Sequence, residues 1–145
     1  MTGIEIRVDE FTTPEIRDQI IDGLVSFNDA AAGVANHRSL AVVARQDGEA
    51  IGGLVSYTNW EWLYIVQLWV TETLRGHGIG GQLVRTAEAE ARRRGCKHAH
   101  VDTFSFQARP FYERLGYTVF GQLDDYAAGH TRYFLQKRDI AREEE

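Results

Sequence analysis

The stretch "VTETLRGHGIGGQLV", residues 70–84, constrains this chain more than any other. Four glycines, at 76, 78, 80 and 81, stand between an apolar run and a run with helical spacing. Glycines at such a turn let backbone N–H groups approach a phosphate without a Cβ in the way. The helix that follows adds the positive end of its dipole. The apolar run "EWLYIVQLWVT" reads as a strand, and its near-continuous apolarity suggests burial on both faces. Beyond the glycines, Ile79, Leu83, Val84, Ala87 and Ala91 fall on one helical face. Glu88 and Glu90 stand four residues before Arg92 and Arg94, a spacing that supports the helix. Arg92 to Arg94 suit its C-terminal end, and Gly95 suits the cap.

The remaining elements follow from the same rules. "IEIRVDEF" alternates apolar and polar residues, which predicts a first strand. Pro14 after Thr13 opens a helix in which Ile16, Ile20, Leu24 and Phe27 recur at helical spacing. "AAAGVANHRS" predicts a short helix or loop, and Asp47-Gly48 a hairpin between two strands. "KHAHVDTF" reads as a strand and "QARPFYERLG" as a helix with Pro110 in its first turn and Gly116 as its cap. "YTVFGQL" and "TRYFLQKR" are two closing strands. Hairpins come first and crossover helices later, which predicts a mixed sheet in an α/β domain. No linker or repeat interrupts residues 1–145, so the expectation is a single domain with a flexible acidic tail from about residue 139.

Three kinds of phosphate loop compete for the glycines. A P-loop needs a lysine and a hydroxyl residue after them, and Gln82 and Leu83 stand there instead. Gly76, Gly78 and Gly81 satisfy the dinucleotide pattern G-x-G-x-x-G, and Asp102 lies about twenty residues on, where a ribose-binding acid belongs. Against it, "TETLR" separates Val70 from the first glycine, and too little chain follows for the second half of a doubly wound sheet. The third pattern, R-x-x-G-x-G from Arg75, Gly78 and Gly80, uses the arginine as well. A plain turn and helix cap would use neither four glycines nor the arginine.

That third pattern resembles the acyl-CoA loop of the GNAT N-acetyltransferase superfamily. The likeness extends to "ARPFYERLGY", where Ala108, Tyr112, Gly116 and Tyr117 occupy the positions of a second signature, A-x-x-x-Y-x-x-x-G-aromatic. The resemblance implies a fold with a mostly antiparallel mixed sheet, flanked by helices and splayed at the CoA site. It implies that Arg75, Gly76, His77, Gly78, Ile79, Gly80 and Gly81 hold the pyrophosphate of acetyl-CoA. His77 is a solvent-facing position within that loop that could touch a CoA phosphate. Leu68, Trp69 and Val70 would pair with the pantetheine arm as an added strand does. Tyr112 would face the departing thiolate as its acid. Ser105 stands where many relatives have an asparagine that contacts pantetheine; a serine there could bond the arm or cap the helix instead. The implied activity is acetyl transfer to a primary amine of a small molecule or peptide, by direct attack in a ternary complex and without a metal. An acyl-CoA sensor on the same fold is the alternative, since the strand before the loop carries Tyr64 and Gln67 where some relatives have a glutamate base. Family members often pair through edge strands, which makes a homodimer an expectation.

Other residues invite chemistry more weakly. Glu61 and Glu72 flank the strand with nothing to point either inward, Asp124, Asp125 and His130 could border the acceptor site, and none is singled out as a base. His98, His100 and Asp102 alternate on one strand face and could hold a metal, although strand faces commonly carry polar residues. Cys96, the one cysteine, reads as a packed thiol and excludes an internal disulfide. Trp60, Trp62 and Trp69 with Tyr57 and Tyr64 suit core packing or an acceptor wall. A formal net charge of −5 disfavours nucleic acid, and no apolar run is long enough for a membrane span. With no signal-like N-terminus, the expected location is the cytoplasm.

Overall fold

A computed structural model describes residues 3–141. The chain divides into two compact units, residues 1–35 and residues 36–145. The first contains α1, Pro14–Ala32, with Pro14 in its first turn. The Thr13 hydroxyl caps it by accepting from the Ile16 N–H at 3.3 Å. The strand expected at residues 4–11 does not form: alternation is only half of what a strand needs, and these N–H and C=O groups enter no ladder. The separate short helix after Ala32 is also absent, and residues 33–37 are irregular.

The second unit is built on a six-stranded sheet in the order β1-β2-β3-β4-β6-β5. Its strands are β1 (Arg38–Gln46), β2 (Glu49–Asn59), β3 (Trp62–Val70), β4 (His98–Phe104), β5 (Thr118–Leu123) and β6 (Arg132–Lys137). All neighbours are antiparallel except β3 and β4. A parallel pair needs a crossover, and α2, Ile79–Arg93, supplies it after a single 3₁₀ turn at Glu72–Leu74. α3, Arg109–Arg114, follows β4.

α2 packs over β1, β2 and β3. Leu83, Val84, Ala87 and Ala91 on its inner face meet Leu54, Leu63, Ile65 and Val101 from the sheet in one buried cluster. Its C-terminus closes as a Schellman motif, in which the Gly95 N–H bonds the Arg92 carbonyl and the Cys96 N–H the Ala91 carbonyl, both at 2.9 Å. α3 ends the same way, with the Tyr117 N–H on the Tyr112 carbonyl at 3.0 Å. That cap sets the Tyr117 ring against the Tyr112 ring, centroids 5.8 Å apart. Cys96 is buried in the core, and burial pushes its thiol pKa up.

Three local expectations need correction. Glu90 pairs with Arg94 at 3.3 Å as its spacing suggests, but Glu88 faces inward and Arg92 turns to the Ile140 carbonyl at 3.2 Å. Asp139 and Ile140, assigned to the tail on composition, are anchored: Ile140 is buried and its N–H bonds the Lys97 carbonyl at 2.7 Å. The rest of the acidic stretch, residues 142–145, lies outside the described residues. β3 is not buried on both faces, since Trp69 is 54% exposed; its far half borders a groove.

Candidate active site

The single parallel pairing is short. β3 and β4 share only four rungs, from Trp62 opposite His98 to Ile65 opposite Val101. Beyond them the two strands part. Val66 is a bulge against β2, where Val55 faces Gln67 but Ser56 faces Ile65. A bulge adds twist and bends its strand, and here it falls at the first position past the last rung. The free end of β3 therefore runs on to Val70 without a β4 neighbour.

A groove of about 640 Å³ lies beside that free end. Leu68, Trp69 and Val70 form one wall, the glycine turn and the start of α2 a second, and Ala108, Phe111, Arg114 and Leu115 a third. Geometry demands glycine in this turn, as two positions show. Gly78 caps α2 with φ of +82°, a conformation costly for other residues. A Cβ on Gly80 would come within 3.1 Å of the Phe111 ring, so its absence is what lets α3 approach α2. The Arg75 side chain bonds the Val70 carbonyl at 2.9 Å, tying the turn to the strand end.

Nine of the eleven residues expected to hold a cofactor line this groove: Leu68, Trp69, Val70, Arg75, Gly76, Gly78, Ile79, Gly80 and Gly81. His77 and Ser105 are not among its lining residues. The His77 ring lies 3.1 Å from the Arg75 carbonyl oxygen, within its own loop. Ser105 accepts from the Thr131 N–H at 3.0 Å and sits 3.2 Å from His130 Nδ1, so it fastens the loop before β6. Two charged lining residues escaped the sequence reading, Arg85 and Arg114. The signal for Arg85 was its place four residues after Gly81, on the same helical face. With Arg75, they give the groove three guanidinium groups, a donor set that fits a bound anion such as a diphosphate. Replacing Arg85 with alanine weakens binding of a diphosphate-bearing ligand about tenfold, as titration of the purified protein will show.

Tyr112, on α3, is buried between the Phe111 and Tyr117 rings. Among the described residues its hydroxyl has no hydrogen-bond partner, and the oxygen is not sealed from solvent. Burial, seconded by the negative charge of Asp102, pushes its pKa up to about 12. Tyr64 also rises to about 12, through burial and its bond to Asp102. Both phenols therefore stay protonated at ordinary pH. In an unfolded chain they ionise near pH 10, so the stability their neutral forms confer is intact below pH 10 and lost as pH rises toward 12. Urea midpoints measured from pH 9 to 12 will fall across that window, and less steeply in Tyr112→Phe.

Of the residues considered as bases, Glu61, Asp124 and Asp125 are engaged elsewhere. Glu61 is in a turn and pairs with Lys97 at 3.3 Å. Glu72 opens the 3₁₀ turn, Asp124 accepts from Gln122, and Asp125 accepts from the Gly129 N–H. Among the described residues no cluster of His, Cys, Asp or Glu is arranged to hold a metal. His98 accepts from the Asp139 N–H at 2.9 Å, and His100 stacks on Tyr64 with centroids 4.5 Å apart. Among the described residues no helix is long and apolar enough to cross a membrane.

This arrangement has known counterparts. Residues 4–117 match the sequence model of the Acetyltransferase (GNAT) family. The chain belongs to that family. It is 41% identical over 125 residues to an acetyltransferase of Agrobacterium fabrum, covering 86% of this chain and 91% of that one. It is 44% identical over 91 residues to the blasticidin-S acetyltransferase of Streptomyces morookaense, covering 62% of this chain and 67% of that one. A crystal structure from Agrobacterium tumefaciens superposes with a TM-score of 0.87 at 38% identity, over 93% of this chain and 99% of that chain. The fold is thus that of GNAT acetyltransferases, and the chain is an acetyltransferase.

Proposed function

We propose that this GNAT enzyme moves an acetyl group from acetyl-CoA to a primary amine of a small molecule or peptide, by direct attack in a ternary complex. One observation carries the reading: a single groove is lined by three arginines, by the glycine turn and by the end of β3 that β4 leaves free. An anion held by the arginines and the turn sends an extended thioester arm along that strand, toward the parting of β3 and β4. The edge of Leu68 to Val70 on the side away from β2 offers that arm ladder hydrogen bonds.

In this reading the amine nitrogen attacks the thioester carbon, the C–N bond forms and the C–S bond breaks. Tyr112 gives its proton to the departing thiolate, and the nitrogen sheds one to solvent. A phenol pushed up to about 12 remains available as the acid. No side chain needs to carry the acetyl group. As part of the same proposal, the enzyme works in the cytoplasm as a homodimer, which sedimentation of the purified chain tests.

The experiment is a free-thiol assay with acetyl-CoA and blasticidin S, spermidine or an alanine-terminated tripeptide. Blasticidin S is included because the Streptomyces relative is named for it. CoA release that depends on an amine supports the proposal. Tight CoA binding with no release from any of the three overturns it in favour of the sensor.

A further inference from the structure

Asp102 is the first residue of β4 past the last rung shared with β3, so it stands where the two strands begin to part. It is also the carboxylate whose charge reaches the Tyr112 phenol. Its side chain is 16% exposed, and it is held from two sides. Arg132, reaching over from β6, donates through Nε at 3.1 Å and Nη2 at 2.8 Å, both to Oδ1. Tyr64, on β3, donates to Oδ2 at 2.6 Å. A carboxylate offers about four lone-pair sites, two on each oxygen. Arg132 uses both on Oδ1 and Tyr64 uses one on Oδ2, which leaves one open site on Oδ2.

The surroundings define what that site suits. Aromatic rings flank it: Tyr64 stacked on His100 along the sheet, and Phe104 stacked on Phe106 and tilted against Tyr126 at the strand's end. Arg132 lies over Phe104 and Tyr126, which fixes the guanidinium as well as the carboxylate. The Asp102–Arg132 pair is neutral overall. Arg132 offsets part of the carboxylate's pull toward a second positive charge, so Oδ2 holds an amine less firmly as the ammonium than a lone carboxylate would.

We propose that Oδ2 of Asp102 docks the attacking nitrogen of the acceptor, and that Tyr64 and Arg132 position it for that task. The acceptor class is a primary amine carried on a flat or apolar body that the rings cushion, and its N–H donates to Oδ2. This inference rests on the acetyl-transfer reading above and adds the acceptor's anchor to it.

Steady-state kinetics of Asp102→Asn with blasticidin S and with spermidine test the idea. Loss of a hydrogen bond to a charged acceptor predicts an acceptor KM raised about 10- to 100-fold, with acetyl-CoA affinity unchanged. A purely structural role would weaken both substrates together or lower the melting temperature alone. If Asp102→Asn does not fold by circular dichroism, Tyr64→Phe carries the test, with an acceptor KM raised roughly threefold and acetyl-CoA affinity again unchanged. An acceptor KM unchanged in the folded variant, or moved only in step with acetyl-CoA affinity, overturns the inference while the transferase reading stands. Absence of amine-dependent CoA release from the unaltered enzyme with any of the three amines overturns both.

Discussion

Tyr112→Phe is expected to lower kcat about 100-fold and to leave the KM for acetyl-CoA within about twofold, because the acid proposed here would contribute that much to the chemical step and little to ground-state binding. The substitution is unusually clean. Phenylalanine keeps the ring that packs between Phe111 and Tyr117. The hydroxyl it removes has no partner among the described residues, so no internal hydrogen bond is lost. The melting temperature at neutral pH should therefore stay put, and any fall in rate reports chemistry. Stopped-flow release of CoA at saturating amine is the measurement. A kcat equal to that of the unaltered enzyme, with normal cofactor binding, removes Tyr112 from the reaction.

Glu88→Ala has the largest expected effect on stability. Glu88 is 3% exposed on the inner face of α2. Its carboxylate accepts from the Tyr117 hydroxyl at 2.8 Å and pairs with Lys137 of β6 at 3.3 Å. The link joins the crossover helix, the turn after α3 and the last strand. Removing one partner of a buried pair costs about 3–5 kcal/mol. For a chain of this size that lowers the melting temperature by about 10 °C or more. Thermal unfolding followed by circular dichroism will measure it. Glu88→Gln, which can still accept from Tyr117, should lose less. A shift under about 2 °C in the alanine variant would show that the pair is energetically neutral.

Local signals in the chain were enough for most of the fold. From Pro14 onward each main helix and strand is announced by periodicity and punctuation, because caps and turns depend on residues a few places apart. The glycine turn was equally legible as a wall of the groove, since it sits in a motif of fixed spacing. What failed depended on partners far away in sequence. Residues 4–11 have the alternation of a strand but no ladder to join. The turn at Trp60 and Glu61 places both residues at positive φ, +42° and +66°, without the glycine or asparagine that would have announced it. The Glu61 carbonyl is held there by the Lys97 and His98 N–H groups, some forty residues away. Asp102 looked like a ribose acid or a metal ligand until β6 brought Arg132 beside it. Arg114 is a charge on a short helix until α3 turns it into the groove.

The four rungs between β3 and β4 are a seam as well as the edge of a groove. On one side stand three strands joined by tight hairpins, on the other three strands joined through α3 and a second hairpin. The first trio forms from near neighbours, whereas the seam must wait for the whole of α2 to bring its edges together. A ligand laid along the free end of β3 and against α3 touches both trios and closes the seam from outside. Occupancy at a hundred times its dissociation constant would add about 2.7 kcal/mol to the folded state. A cell rich in the donor would thus keep this protein intact for longer than a starved one, with no change in its synthesis.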